Sequence, residues 1–255
     1  MRNHILILGG TTEARQLGQR LAARADINVT VSMAGRTASP AAHAVPVRLG
    51  GFGGIAGLAR YLREHDVIAL IDATHPYAPT ISAHALSAAR QVHMPVLALR
   101  RPAWTAVDGD RWIEVEDATD AVRVLGPTPR NVFLALGRQE IAAFGSAPQH
   151  HYLIRSVDPV QPPLPVPHAL YIQERGPFDA GMELALLRSH AIDVLVAKNS
   201  GAQATYGKIA AARALGIPVM LFRRPPEAAM PAVATVDEAV GWLNHVLGTG
   251  CDRGV

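Results

Sequence analysis

The chain has 255 residues, 49% of them hydrophobic, 18% charged and 5% aromatic, with a formal net charge of +3. That apolar content excludes a disordered chain and predicts aliphatic cores of Val, Ile, Leu and Ala, and with no Lys/Arg tract a nucleic-acid partner is not expected. The lone Cys251 excludes a disulfide framework and a thiolate metal site; with no apolar run near the roughly 18 residues of a membrane span and no signal-peptide pattern, a soluble cytoplasmic protein without membrane association is expected.

In chain order, His4–Leu8 is a short apolar run closed by Gly9-Gly10, and helical spacing follows at Ala14, Leu17, Leu21 and Ala22. That is strand, glycine turn, helix. Ile27–Met33, rich in β-branched residues, predicts a second strand. Val45–Val47 reads as a short edge strand, and Gly50–Gly54 as a glycine loop before a helix ending near His65. A strand over Val67–Ile71, a helix from Pro79 to Val92 and a strand over Pro95–Leu99 follow. Gly126-Pro127-Thr128-Pro129 reads as a linker. Beyond it, Val132–Leu136 predicts a strand ending at Gly137, Gln139–Phe144 a short helix, and Leu153–Val157 a strand. Pro159–Pro167 holds five prolines and is a loop. Ala169–Gln173, Ile192–Ala197 and Val219–Phe222 read as strands; Phe178–His190, Ala202–Leu215 and Asp237–Leu247 read as helices.

The chain also repeats itself. Ala88-Ala89-Arg90, Pro95-Val96 and Arg100-Arg101-Pro102 reappear as Ala211-Ala212-Arg213, Pro218-Val219 and Arg223-Arg224-Pro225. Downstream, Val115-Glu116-Asp117-Ala118 answers Val236-Asp237-Glu238-Ala239. The repeat is too long for a solenoid unit of roughly 20 to 50 residues. The fold class expected is α/β: two related Rossmann-like halves, each a mostly parallel doubly wound sheet, with an interdomain cleft. The expected divisions are 1–126, a linker over 127–130, 131–248 and a tail over 249–255.

What the repeat does not copy is where chemistry is sought. Gly9-Gly10-Thr11-Thr12-Glu13-Ala14 stands between a strand and a helix, where glycines admit a phosphate to helix N–H groups. A plain glycine turn capped by Thr11 or Thr12 is the alternative. The second strand ends without a carboxylate but with Ser32 and Arg36, which favours NADP over NAD, with an exposed loop residue as the alternative for Arg36. Asp72-Ala73-Thr74-His75-Pro76-Tyr77 puts a carboxylate, an imidazole and a phenol at the carboxyl end of a strand, where they could transfer a proton or orient a ring, or else cap the loop. Lys198-Asn199-Ser200-Gly201 holds the equivalent place in the second half and makes a cradle for carboxylate or phosphate, or else an Asn or Ser cap with a solvated lysine. Lys198 and Lys208 are the only lysines in the chain. Arg138, Arg155 and Arg175 are candidates for further positive charge on the same rim. The histidines show no metal-ligand spacing, and neither a Walker A sequence nor a G-x-S-x-G elbow is present.

Together, Ile5-Leu6-Ile7-Leu8-Gly9-Gly10-Thr11-Thr12-Glu13-Ala14, Asp72-Ala73-Thr74-His75-Pro76-Tyr77-Ala78, Arg101-Pro102-Ala103-Trp104, Gly176-Pro177-Phe178 and Lys198-Asn199-Ser200-Gly201 resemble the precorrin-6A reductase family of cobalamin biosynthesis. The resemblance implies NADPH-dependent reduction of one ring double bond of precorrin-6A to give precorrin-6B, with no resident metal. It implies a polycarboxylate tetrapyrrole as substrate and handover to neighbouring pathway enzymes. On that reading Gly9, Gly10, Thr11, Thr12 and Glu13 hold the cofactor phosphates and ribose, and Ser32 with Arg36 the 2′-phosphate. Thr74 and His75 lie near the nicotinamide. Lys198, Ser200, Gly201 and Arg138 hold substrate carboxylates, and Asp72, His75, Tyr77 or Lys198 delivers the proton. A cobalt-precorrin-6A reductase, another NADP-linked reductase of a polyanion, and a non-enzymatic NADP sensor are the alternatives.

Overall fold

The computed structural model describes residues 2–35 and 42–251; Arg36, expected beside the cofactor, lies outside the described residues. The chain runs β1 (Asn3–Leu8), α1 (Thr12–Ala22), β2 (Ile27–Met33), β3 (Val47–Leu49), α2 (Gly54–Glu64), β4 (Val67–Asp72), α3 (Pro79–Gln91) and β5 (Val96–Leu99). It continues with β6 (Trp112–Val115), α4 (Ala118–Leu125), β7 (Asn131–Ala135), α5 (Arg138–Ile141), β8 (His151–Ser156) and β9 (Ala169–Gln173). α6 (Ala180–Ser189), β10 (Val194–Lys198), α7 (Gly207–Leu215), β11 (Val219–Phe222), β12 (Ala232–Val233) and α8 (Val236–Cys251) complete it.

These strands form two six-stranded sheets, ordered β12-β5-β4-β1-β2-β3 and β6-β11-β10-β7-β8-β9, and every pairing is parallel. A parallel sheet is covered on both faces, and β1 shows how. Ile5 and Ile7 pack with Leu17 and Leu21 of α1 and with Ala239 and Leu243 of α8. Leu6 and Leu8 point the other way, against Leu58 and Leu62 of α2. Alternation along one strand therefore serves two cores.

Two compact units result, residues 1–102 with 225–255, and residues 103–224. These boundaries differ from the division expected at 127–130, because strand pairing decides them. After Arg100-Arg101-Pro102 the chain lays β6 beside β11 in the second sheet. After Arg223-Arg224-Pro225 it lays β12 beside β5 in the first. Each copy of the repeat thus gives its last strand and helix to the other half, and the proline-rich stretch at 126–129 is an internal turn of the second unit. The helix expected over 202–215 starts late: Gln203–Thr205 is a 3-10 turn and α7 begins at Gly207. The helix expected over 178–190 is trimmed at its start because Asp179 caps α6, its carboxylate accepting from Gly181 N at 2.8 Å and Met182 N at 3.2 Å. Among the described residues, no helix is long and apolar enough to cross a membrane.

Candidate active site

Ligands of open α/β sheets bind at the carboxyl ends of the strands, where the strand order reverses. In the first unit that point lies between β1 and β4. Leu8 and Asp72, the last residues of the two strands, are register partners. From β1 the chain passes through Gly9 and Gly10 into α1. Gly10 is exposed at φ +117°, and a side chain there would meet open space, so the backbone itself faces outward. Thr11 is the N-cap of α1: its hydroxyl accepts from Ala14 N at 3.2 Å and donates to Ala73 O at 2.8 Å, tying the loop to the end of β4. Thr12 is exposed on the first turn, and Glu13 forms an ion pair with Arg101. The bare backbone at Gly10 and the helix N-terminus after it, anchored through Thr11, fit the diphosphate of a dinucleotide.

Asp72 has a structural task. It is fully buried; one oxygen accepts from Thr74 N (3.1 Å) and Thr74 Oγ1 (2.7 Å), and the other from Arg100 at 2.5 Å. Arg100 also donates to Ser82 Oγ at 2.6 Å and Thr74 O at 3.1 Å. A carboxylate so satisfied and desolvated has no path to a substrate, which removes Asp72 from the expected proton donors and makes Thr74 part of its cage. His75 and Tyr77, in the loop that follows, are half-buried with ring centres 5.6 Å apart, and Tyr77 N donates to His75 Nδ1 at 3.3 Å.

At the ends of β2 and β3, buried Ser32 is the register partner of Arg48, and Arg48 Nη1 lies 3.3 Å from Ser32 Oγ. The following loop is tightly held. Arg48 donates to Gly50 O at 2.6 Å and Gly51 O at 2.9 Å, and its guanidinium lies 3.9 Å from the Phe52 ring centre. Gly57 permits this fold of the chain, since a Cβ there would fall 1.7 Å from Phe52 O, a backbone atom. Gly57→Ala is therefore expected to cost roughly 1–3 kcal/mol, read as a lower urea midpoint; an unchanged midpoint would show that the loop yields freely.

In the second unit the order reverses between β7 and β10. Lys198, ending β10, donates to Glu140 of α5 at 2.6 Å. Asn199 clamps the Trp104 backbone, accepting from its N at 2.7 Å and donating to its O at 3.0 Å. Ser200 is buried; its hydroxyl lies 3.2 Å from Thr205 Oγ1 and accepts from Ala202 N at 3.3 Å. Gly201 follows at φ +71°, and Arg138 is exposed on the first residue of α5. Lys198, Ser200 and Gly201 thus share one loop, with α5 reached through Glu140. Arg155, expected on the rim, is instead buried in an ion pair with Glu183. Lys208 is buried too: Nζ donates to Thr205 O at 2.6 Å and lies 5.0 Å from the Trp104 ring centre. Burial pushes its pKa down to about 7, and Arg155 adds to the shift against a smaller opposing effect of Glu183.

Sequence reasoning missed Arg48, Glu140 and the cage around Arg100. The repeated Arg-Arg-Pro was a signal for the last, but no local spacing pairs residue 100 with residue 72. A cavity of about 620 Å³ opens at the other edge of the first sheet, around His4, Arg24, Thr30 and His65. It lies where strands begin, and the His4 ring nitrogens are already engaged by Thr30 Oγ1 and His65 O.

Known proteins resemble this chain along nearly its whole length. Residues 4–244 match the family described as precorrin-6x reductase CbiJ/CobK. A precorrin-6A reductase from Sinorhizobium sp is 52% identical, covering 95% of this chain and 93% of its own length. One from Rhodobacter capsulatus is 47% identical, covering 94% and 95%. A solved structure titled CobK precorrin-6A reductase superposes with a TM-score of 0.91 at 46% identity, covering 96% of this chain and 97% of its own. With the whole span from β1 into α8 matched, the chain belongs to the precorrin-6x reductase CbiJ/CobK family.

Proposed function

We propose that the chain reduces precorrin-6A to precorrin-6B in cobalamin biosynthesis, with NADPH as the reductant. The observation that carries this reading is family membership along nearly the full length, joined to relatives of that name at 52% and 47% identity. The Gly9–Glu13 loop suits the diphosphate, because its backbone is open and Thr11 anchors it to β4. Ser32, with Arg36 beyond the end of β2, suits the 2′-phosphate, since no carboxylate follows β2 to repel it. When bound, NADPH supplies a hydride to one ring carbon; the neighbouring carbon takes a proton.

With Asp72 committed to Arg100, His75, Tyr77 and Lys198 remain as donors of that proton. Lys198 and Ser200, together with Gly201 and Arg138, are suited to substrate carboxylates: an ammonium, a hydroxyl and a guanidinium at the carboxyl edge of the second sheet. Glu140 accepts from the Lys198 ammonium at 2.6 Å and so fixes its position.

The test is substrate-dependent loss of nicotinamide absorbance with purified protein, NADPH and precorrin-6A. Lys198→Met is expected to raise KM for the tetrapyrrole about 10-fold or more, the worth of one charge-assisted hydrogen bond, while NADPH affinity stays unchanged. Tight NADPH binding without any oxidation would point to the cobalt-containing ring as substrate or to a nucleotide sensor.

A further inference from the structure

We propose that Arg48 reads the 2′-phosphate of the cofactor, at the shared carboxyl edge of β2 and β3; this rests on the NADPH reading above and names a residue that selects NADPH over NADH.

Three observations place it there. First, β3 runs parallel to β2 with Ser32 opposite Arg48, and the two side chains meet at 3.3 Å. The position is the end of the second strand of a dinucleotide-type half, where the adenosine ribose is held. Second, Arg48 is a half-buried cation with no carboxylate partner among the described residues. Arg100, Arg101, Arg155 and Arg213, which are also withdrawn from water, are each paired with a carboxylate. A charge withdrawn from water without a counter-ion favours a bound anion. Third, the guanidinium is already oriented. The Phe52 ring lies 3.9 Å away and the Tyr61 ring 5.2 Å away. Its Nη1 donates to Ser32 and Gly50 and its Nη2 to Gly51. Of the five N–H donors of a guanidinium, Nε–H and one on Nη2 have no acceptor among the described residues, and they suit a phosphate. The wall beside it is backbone, with Gly50 N donating to Met33 O at 2.9 Å, so a ribose phosphate can come close.

Titration calorimetry with NADP⁺ and NAD⁺ tests this without turnover. For Arg48→Gln, NADP⁺ affinity is expected to fall about 10- to 100-fold, one to two charge-assisted hydrogen bonds, while NAD⁺ affinity changes little. Arg48→Lys is expected to recover part of the loss. An equal loss for both ligands would overturn the proposal and leave Arg48 as a brace for the Gly50–Gly53 loop. An unchanged preference for NADP⁺, with Arg36→Gln abolishing it, would also overturn it and assign the phosphate to Arg36. Wild-type protein that binds neither nucleotide would overturn the NADPH reading itself.

Discussion

Asp72→Ala is expected to destabilise the protein by about 3–5 kcal/mol, the cost of leaving a buried charge without its partner. Arg100 is 8% exposed at its side chain and Asp72 is not exposed at all. Removing the carboxylate strands the guanidinium and frees Thr74 N and Thr74 Oγ1, each of which gives Asp72 a hydrogen bond. Urea denaturation followed by circular dichroism measures the loss. Because the penalty belongs to the unpaired charge rather than to the pair, Asp72→Ala with Arg100→Met is expected to be more stable than Asp72→Ala alone. A single-variant loss under about 1 kcal/mol would mean that water reaches Arg100, and the closed cage described above would be wrong.

Lys208→Met is expected to change how stability depends on pH by about 3–4 kcal/mol between pH 7 and pH 10. Burial, reinforced by Arg155, lowers the Lys208 pKa from 10.5 to about 7 in the folded chain. Within that window the unfolded chain binds a proton at Lys208 that the folded chain does not, so stability rises with pH by about 1.4 kcal/mol per unit. Below about pH 7 both states are protonated and the full cost of the buried ammonium remains. Above pH 10.5 neither is, and the cost vanishes. The groups facing Nζ are the Thr205 carbonyl and the Trp104 ring, with Arg155 and Glu183 behind, and Glu174 3.6 Å from Arg155. Subtracting the variant's denaturation free energies from those of the wild type removes every other titration. A difference flat from pH 7 to 10 would show that Lys208 keeps its proton in the fold. Maintaining a lysine here, in a chain whose other basic residues are nearly all arginine, fits a site with room for one nitrogen and one carbonyl acceptor.

The two copies of Arg-Arg-Pro show what a sequence can and cannot tell. Their register is the same: Asp72 faces Ala98, two residues before Arg100, as Ala197 faces Leu221, two before Arg223. In the first half the facing residue is an aspartate, so Arg100 turns inward. In the second it is alanine, and Arg223 reaches the exposed Glu114 and Glu116 instead. The second arginines diverge as well, Arg101 pairing with Glu13 and Arg224 donating to Asn199 O at 2.9 Å. Identical local chemistry takes its role from partners tens of residues away. Glu140 escaped notice for the same reason, since its partner Lys198 is 58 residues on.

The sequence by itself determined the alternation of strand and helix, the glycine loop after β1, the pairing of two related halves, and the loops at 72–77 and 198–201. Those features are local: β-branched runs, glycine turns and amphipathic spacing act over a few residues whatever the rest of the chain does. Only the tertiary structure decided that Asp72 is a buried support, that Arg48 stands beside Ser32, and that the last strand of each repeat belongs to the other sheet. β6 and β12 have four and two residues, too few to carry a pattern of their own. Their hydrogen bonds go to whichever sheet edge the chain presents, and that is settled by long-range closure, not by the residues within the strand.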